Sequence, residues 1–260
     1  MVKSHHLAIE PGDIGRFVIL PGDPGRCKVI ASHFNNPEKV AENREYVTYT
    51  GSILNEPVSV SSTGIGNPSA AIAIEELRAV GADTFIRVGT SGGMQPHQIP
   101  GDLAIITGSI RDEGISKHYL PIEFPAVANS DVVIALREAA EKLGYNTHLG
   151  ISHSKDSYFG QMAPERMLVA NFLEERWKAW VQGGAICAEM ESAILLSLGA
   201  IYRLRVGSIT LIAVNQDKPE LGVSTDTAPV IKTAIEAIKL LIQLDHNNEK
   251  ERINDKRNWA

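Results

Sequence analysis

The amino-acid sequence predicts an α/β fold, one domain over residues 1–260 in which helices cover both faces of a mixed β-sheet. Three observations carry this expectation. Apolar runs of strand length alternate along the chain with segments of helical period, the order that builds α/β layers. Strand-like runs are stopped by glycine, proline, asparagine or aspartate. The 260 residues are 43% hydrophobic and 22% charged, ordinary usage for a soluble chain with a sizeable core, and no repeat, low-complexity tract or linker divides them.

The first strand lies in "RFVILPGDPGR", an apolar run ended by a Pro/Gly/Asp turn. A second, in "PVSVSSTGIGNPS", ends in a glycine turn. A helix follows, with Asn67 as its cap, Pro68 in its first turn, and Ala71, Ile74, Leu77 and Arg78 at helical spacing. "DTFIRVGTSGG" and "DLAIITGSI" are two further strands. Residues 130–143 form a helix with Val133, Leu136, Ala140 and Leu143 on one face, stopped by Gly144. "THLGISHS" is a strand, "PERMLVANFLEERWKAW" one helix or two, and "AICAEMESAILLSLGAIYR" a short strand running into an apolar helix. "RVGSITLIAVN" is the last strand. The last helix, "APVIKTAIEAIKLLIQL", puts Ile231, Ala234, Ile235 and Ile238 in register before a polar tail, 246–260, expected to fray.

A formal net charge of −6 argues against nucleic acid as the main partner, and no apolar run reaches the roughly 18 residues of a membrane span. Cys27 and Cys187 have no metal-ligand spacing, and "MVKSHHLAIEPGD" lacks an apolar stretch of signal-peptide length. These features predict a reduced, cytoplasmic setting.

Ligands of α/β folds gather at the carboxyl ends of strands, and four such segments offer parts of an anion site. They are "PGDPGR" with Gly22 and Arg26, "NREY" with Arg44, "STGIG" with Gly64 and Gly66, and "RVGTSGG" with Arg87, Thr90 and Ser91. Glycines let backbone N–H groups approach an oxyanion, hydroxyls donate to it, and guanidinium groups add charged, forked donors. Taken alone, "GIG" and "GTSGG" also fit tight turns, and neither GxGxxG nor GxxxxGK[ST] occurs. Arg87 is harder to dismiss, because Phe85, Ile86 and Val88 place it in a buried strand, where its charge must meet either an anion or a carboxylate. "CAEMES" sets Glu189 and Glu191 around Met190 at a strand-to-helix junction, where one carboxylate can face a cleft while the other makes a structural pair. "SKDSYFGQMAPERM" combines the aromatic Tyr158 and Phe159 with Gln161 and Arg166, a set suited to a flat heterocycle or, equally, to a core.

In this order the pieces resemble the nucleoside phosphorylase family, and within it the uridine phosphorylase branch. The similarity runs from about His6 to Leu244 through "PGDPGR", "NREYVTYTG", "STGIGNPSAAIAIEEL", "FIRVGTSGGMQP", "GDLAIITGSIRDEG", "FPAVA", "SKDSYFGQ" and "AEMES". Their joint occurrence is far more specific than any one of them. The resemblance implies a mixed, twisted, partly barrel-like sheet and a reversible phosphorolysis of uridine to uracil and ribose 1-phosphate. Inorganic phosphate is the co-substrate, and no cofactor is required. Phosphate is expected among Gly22, Arg26, Arg87 and Thr90, with Arg44 from a neighbouring subunit. Ribose is expected against Thr90, Met190 and Glu191, with His6 from that neighbour. The base is expected against Ser91, Gly92, Tyr158, Phe159, Gln161, Glu189 and Val214. Similar enzymes are hexamers built from dimers, and some hold a monovalent cation such as K+ through residues matching Glu45, Ile65 and Ser69.

Two positions depart from the family pattern. An arginine that contacts the pyrimidine carbonyl two residues after the glutamine is Ala163 here, so Arg166 is expected to take its place from a shifted loop. The arginine just after the strand-end asparagine is Gln216. Purine-specific members use a strand-end aspartate as the acid for the base; the matching residue is Asn215, a poor acid, which favours pyrimidine. The alternatives are a purine nucleoside phosphorylase, a hydrolytic nucleosidase, and a nucleoside-binding homologue without activity.

Overall fold

Ten strands and seven α-helices follow one another in the computed structural model, which describes residues 3–258. In chain order they are β1 (Phe17–Pro21), α1 (Pro24–Ala31), β2 (Asn35–Asn43), β3 (Tyr46–Ile53), β4 (Glu56–Ser61), α2 (Asn67–Ala79), β5 (Thr84–Gly93), β6 (Leu103–Asp112) and β7 (Ala126–Val127). Then come α3 (Ser130–Leu143), β8 (Thr147–Lys155), α4 (Tyr158–Met162), α5 (Ala170–Gln182), β9 (Cys187–Glu189), α6 (Ser192–Tyr202), β10 (Arg205–Asn215) and α7 (Ala228–Asn258). The strands join in the order β10-β6-β8-β9-β5-β1-β4-β3-β2, and a further pairing of β10 with β5 closes five of them into a ring. No helix among the described residues is long and apolar enough to cross a membrane.

Strand β5 is the hinge of this arrangement, parallel to β1 on one side and to β10 on the other. Covered on both faces, it needs apolar side chains in both directions, which Phe85, Ile86 and Val88 supply. Alternation on β1 shows the two layers. Phe17 and Ile19 join a core with α1, α3 and α7, whereas Val18 and Leu20 join a core with α2 and α6.

Several local expectations change. "PGDPGR" is more than a turn: Asp23 Oδ1 accepts from the Gly25 N–H at 2.8 Å and starts α1, with Pro24 in its first turn. Asn67 does not cap α2. It is the first helical residue after Gly66 (φ 97°), and its side-chain oxygen accepts from the Ile194 N–H at 3.3 Å. "GTSGG" is strand to its last residue, while "GIG" is a true turn, with Gly64 at φ 70°. On α3 the buried face is Val132, Leu136, Ala139 and Ala140; Leu143 is 38% exposed. Val132 sets that face, because a Cβ at Gly207 of β10 would lie 2.3 Å from its Cγ1. Helix α7 buries Ile231, Ala234, Ile235 and Ile238 as expected, then continues to Asn258 rather than ending at the polar stretch. Just before that stretch, Asp245 accepts from Arg205 at 2.7 and 2.8 Å.

Candidate active site

A cleft of about 710 Å³ opens where β1, β4, β5, β8, β9 and β10 reach their carboxyl ends. One end is basic. Gly22, Arg26, Gly64, Arg87 and Thr90 line it, brought there by the β1–α1 turn, the β4–α2 turn and β5.

Arg87 is only 3% exposed, and it meets carboxylates. Its Nε donates to Glu189 at 3.2 Å and its Nη2 to Glu191, while Nη1 is buried without a partner among the described residues. Room for this fold-back comes from Gly89, where a Cβ would stand 2.8 Å from Nη2. Arg26, half-buried, has Asp23 Oδ2 at 3.9 Å. Burial depresses its basicity, Asp23 partly restores it, and the Arg87 charge depresses it further. The two guanidinium groups therefore repel across the basic end of the cleft.

The two glutamates are pushed in opposite directions. Burial raises the Glu189 carboxyl, but Arg87 and the N–H groups of Glu191 (2.9 Å) and Ser192 (2.8 Å) outweigh it and hold Glu189 below the ordinary carboxylate range. Glu191 is raised, by burial first and by the Glu189 charge, with Arg87 opposing. Glu191 also accepts from the Gly66 N–H at 2.7 Å. These bonds complete the amino end of α6: its Glu191 and Ser192 donors go to Glu189, Ala193 to Ser154 Oγ, and Ile194 to Asn67. That helix end is satisfied by side chains from three other elements.

Toward the other end the lining is Ser91, Gly92, Tyr158, Gln161, Met190 and Val214, with Glu189 and Glu191 between the two halves. The Ser91 hydroxyl is held by Thr210 Oγ1 at 2.8 Å. Of the other expected residues, Glu45 and Ile65 edge the cleft, and Ser69 Oγ donates to the Ile65 carbonyl at 3.1 Å. Ser69 and four others do not line it within one chain. His6 is bound to Glu76 at 2.7 Å, Arg44 is exposed on the β2–β3 turn, Phe159 packs edge-on against Tyr158, and Arg166 lies over the Phe159 ring at 5.1 Å.

Two features escaped sequence reasoning. Lys155, the last residue of β8, lines the cleft although only 6% exposed. Its one signal was a charge closing a strand whose last four residues are buried but whose neighbours are polar, unlike the apolar run around Arg87. A second cleft of about 570 Å³ shares Lys155, Gln161, Met162, Val214 and Gln216 with the first. There His153 Nε2 pairs with Asp112 at 2.9 Å and its ring lies 4.0 Å from that of Trp180, while Arg176 reaches the same aspartate at 2.6 Å. Cys27 and Cys187 are buried fillers whose thiols burial pushes up to about 12, far from the reactive thiolate range.

Residues 16–245 match the sequence pattern of the phosphorylase superfamily. The chain belongs to the phosphorylase superfamily. A uridine phosphorylase of Treponema pallidum (strain Nichols) is 49% identical over 246 residues, covering 93% of this chain and 95% of that one. One from Thermococcus kodakarensis is 44% identical, covering 98% and 92%. A guanosine phosphorylase of Halorubrum lacusprofundi is 38% identical, covering 83% and 87%. The superfamily match contains every strand that contributes to the cleft, and the closed ring with its flanking helices is the partly barrel-like α/β architecture the resemblance implied.

Proposed function

We propose that this chain is a uridine phosphorylase, a pentosyltransferase that converts uridine and phosphate reversibly to uracil and ribose 1-phosphate. The observation that carries the reading is the basic end of the cleft. Arg26 and Arg87 repel each other there, Arg87 keeps a buried donor without an acceptor, and a phosphate seated between them relieves both costs. Gly22 and Gly64 leave backbone room beside it, and Thr90 offers a hydroxyl.

With phosphate at that end, the nucleoside lies along the cleft, ribose against Met190 and Glu191 and base against Tyr158 and Gln161. Glu191 accepts from a ribose hydroxyl and fixes the sugar. As the C1′–N1 bond breaks, its electron pair moves onto the pyrimidine and the ring sugar becomes cationic; a phosphate oxygen then bonds to C1′. Charge placement and orientation supply the acceleration, and no side-chain nucleophile takes part.

Pyrimidine is favoured over purine by Asn215. Its amide donates to the carbonyls of Gln95 (3.1 Å) and Gln98 (2.7 Å), and its oxygen accepts from the N–H groups of Asp217 and Lys218. An amide so engaged cannot hand a proton to a purine, and Asp217 is exposed outside the cleft. Arg44 and His6, which do not line the cleft within one chain, are assigned to the site of a neighbouring subunit in a dimer-based hexamer. Ile65, 79% exposed at the cleft edge, supports an interface there. The Glu45 carboxylate, the Ile65 carbonyl and the Ser69 hydroxyl are hard oxygen donors that fit a monovalent cation such as K+, which would brace that edge without entering the chemistry.

The test is a panel of uridine, deoxyuridine, thymidine, inosine and guanosine, with and without phosphate. Uridine cleavage that needs phosphate is expected. Cleavage without it would make the enzyme a nucleosidase, and preference for guanosine would place it with its 38% identical relative.

A further inference from the structure

A pyrimidine leaving C1′ carries the electron pair of the broken bond, spread onto its carbonyl oxygens, and in a water-poor cleft a fixed cation stabilises that charge better than a neutral amide. The groups first expected to supply one are absent: Ala163 and Gln216 are uncharged, and Arg166 is stacked over Phe159. Arg26 and Arg87 belong to the phosphate end. The remaining cation lining the cleft among the described residues is Lys155.

Its setting is unusual for a lysine. The residue is only 6% exposed, and with Gln161, Met162 and Val214 it lines both clefts. The Glu189, Glu191 and Asp112 carboxylates attract its charge through space, and that charge, after burial, helps keep His153 on the same strand from being protonated. No hydrogen bond or close ion pair engages the ammonium among the described residues. Burial accordingly lowers its basicity. An ammonium at the cleft wall with no protein acceptor is free to pair with an oxygen of a bound ligand.

We propose that Lys155 is the catalytic cation of the base subsite, donating from its ammonium to a carbonyl oxygen of the departing pyrimidine. The inference rests on the uridine phosphorylase reading. In the step it serves, the C1′–N1 pair passes to the ring, phosphate oxygen bonds to C1′, and the pyrimidine anion remains paired with the lysine until it takes a proton from water on release. Lys155 stays protonated throughout.

The experiment compares kcat/KM for uridine and 5-fluorouridine, at saturating phosphate, in the wild type, Lys155→Met and Lys155→Gln. Fluorouracil is the more acidic leaving group and depends less on a cation. Loss of the ammonium should lower uridine turnover by about 100-fold and 5-fluorouridine turnover by about 10-fold or less, with the phosphate KM unchanged. Equal losses on both substrates, no loss, or unfolding of both variants would overturn the assignment and leave Lys155 as a counter-charge for Glu189 and Glu191. Failure of the wild type to cleave uridine would instead remove the reading on which the inference rests.

Discussion

Arg87 holds Glu189 and Glu191 together as well as facing the cleft, so its removal and that of Arg26 should have different consequences. Arg87→Ala leaves two buried carboxylates without their counter-charge, a situation that costs about 3–5 kcal/mol of stability. Activity and folding should therefore fall together. Arg26 is half-buried and only loosely paired with Asp23, so Arg26→Ala should keep the wild-type melting temperature while kcat/KM for phosphate drops by about 100-fold. Thermal denaturation alongside kinetics at varied phosphate separates the two; an Arg26→Ala enzyme with unaltered phosphate kinetics would remove that residue from the site. Sequence made Arg87 conspicuous because a charge among Phe85, Ile86 and Val88 has to be paired. Lys155 closes β8, but Ser152, His153 and Ser154 before it are polar, and nothing in the linear order says that all three are buried. Which anion Arg87 would meet was equally hidden, since Glu189 and Glu191 are brought to it from 102 and 104 positions away.

Elements with an apolar period and an explicit stop were legible. Helix α3 is such a case: Asn129 accepts from the N–H groups of Asp131 and Val132 at its start, and Gly144 ends it at φ 74°. Because an alanine there must adopt a left-handed conformation in which its Cβ is strained, Gly144→Ala should cost about 1 kcal/mol. Chemical denaturation would register this as a shifted midpoint at constant slope, with phosphorolysis untouched because α3 lies outside the cleft. An unchanged midpoint would mean that α3 ends elsewhere in solution. Its buried face, by contrast, was legible only to within one residue, since Val132 or Val133 could lead it and the gap at Gly207 decides. Strands β2 and β3 were not legible as strands. Asn35 to Lys39 are all exposed and, Pro37 apart, polar, and their pairing is fixed by β4 and the sheet edge rather than by any apolar alternation of their own.

Within one chain the cleft gathers Arg26 and Arg87 but not Arg44 or His6, so the proposed site is complete only if a second copy contributes. This has a measurable consequence that a self-contained site does not share. Suppose each cleft uses Arg26 and Arg87 of its own subunit and Arg44 of the neighbour. Arg26→Ala and Arg44→Ala are then both defective alone. In a mixed dimer, however, the subunit carrying Arg44→Ala still has its own Arg26 and borrows an intact Arg44, while the other cleft lacks both. Denaturing the two variants together and refolding them at equal concentration makes half the dimers mixed, each with one good cleft of two. Specific activity should therefore recover to about a quarter of the wild-type value, well above that of either variant refolded alone. Fully self-contained clefts would give only the average of the two defective enzymes, as would an Arg44 that plays no part in phosphate binding. Kinetics at varied phosphate distinguish these two failures, because an uninvolved Arg44 leaves Arg44→Ala with the wild-type phosphate KM from the start.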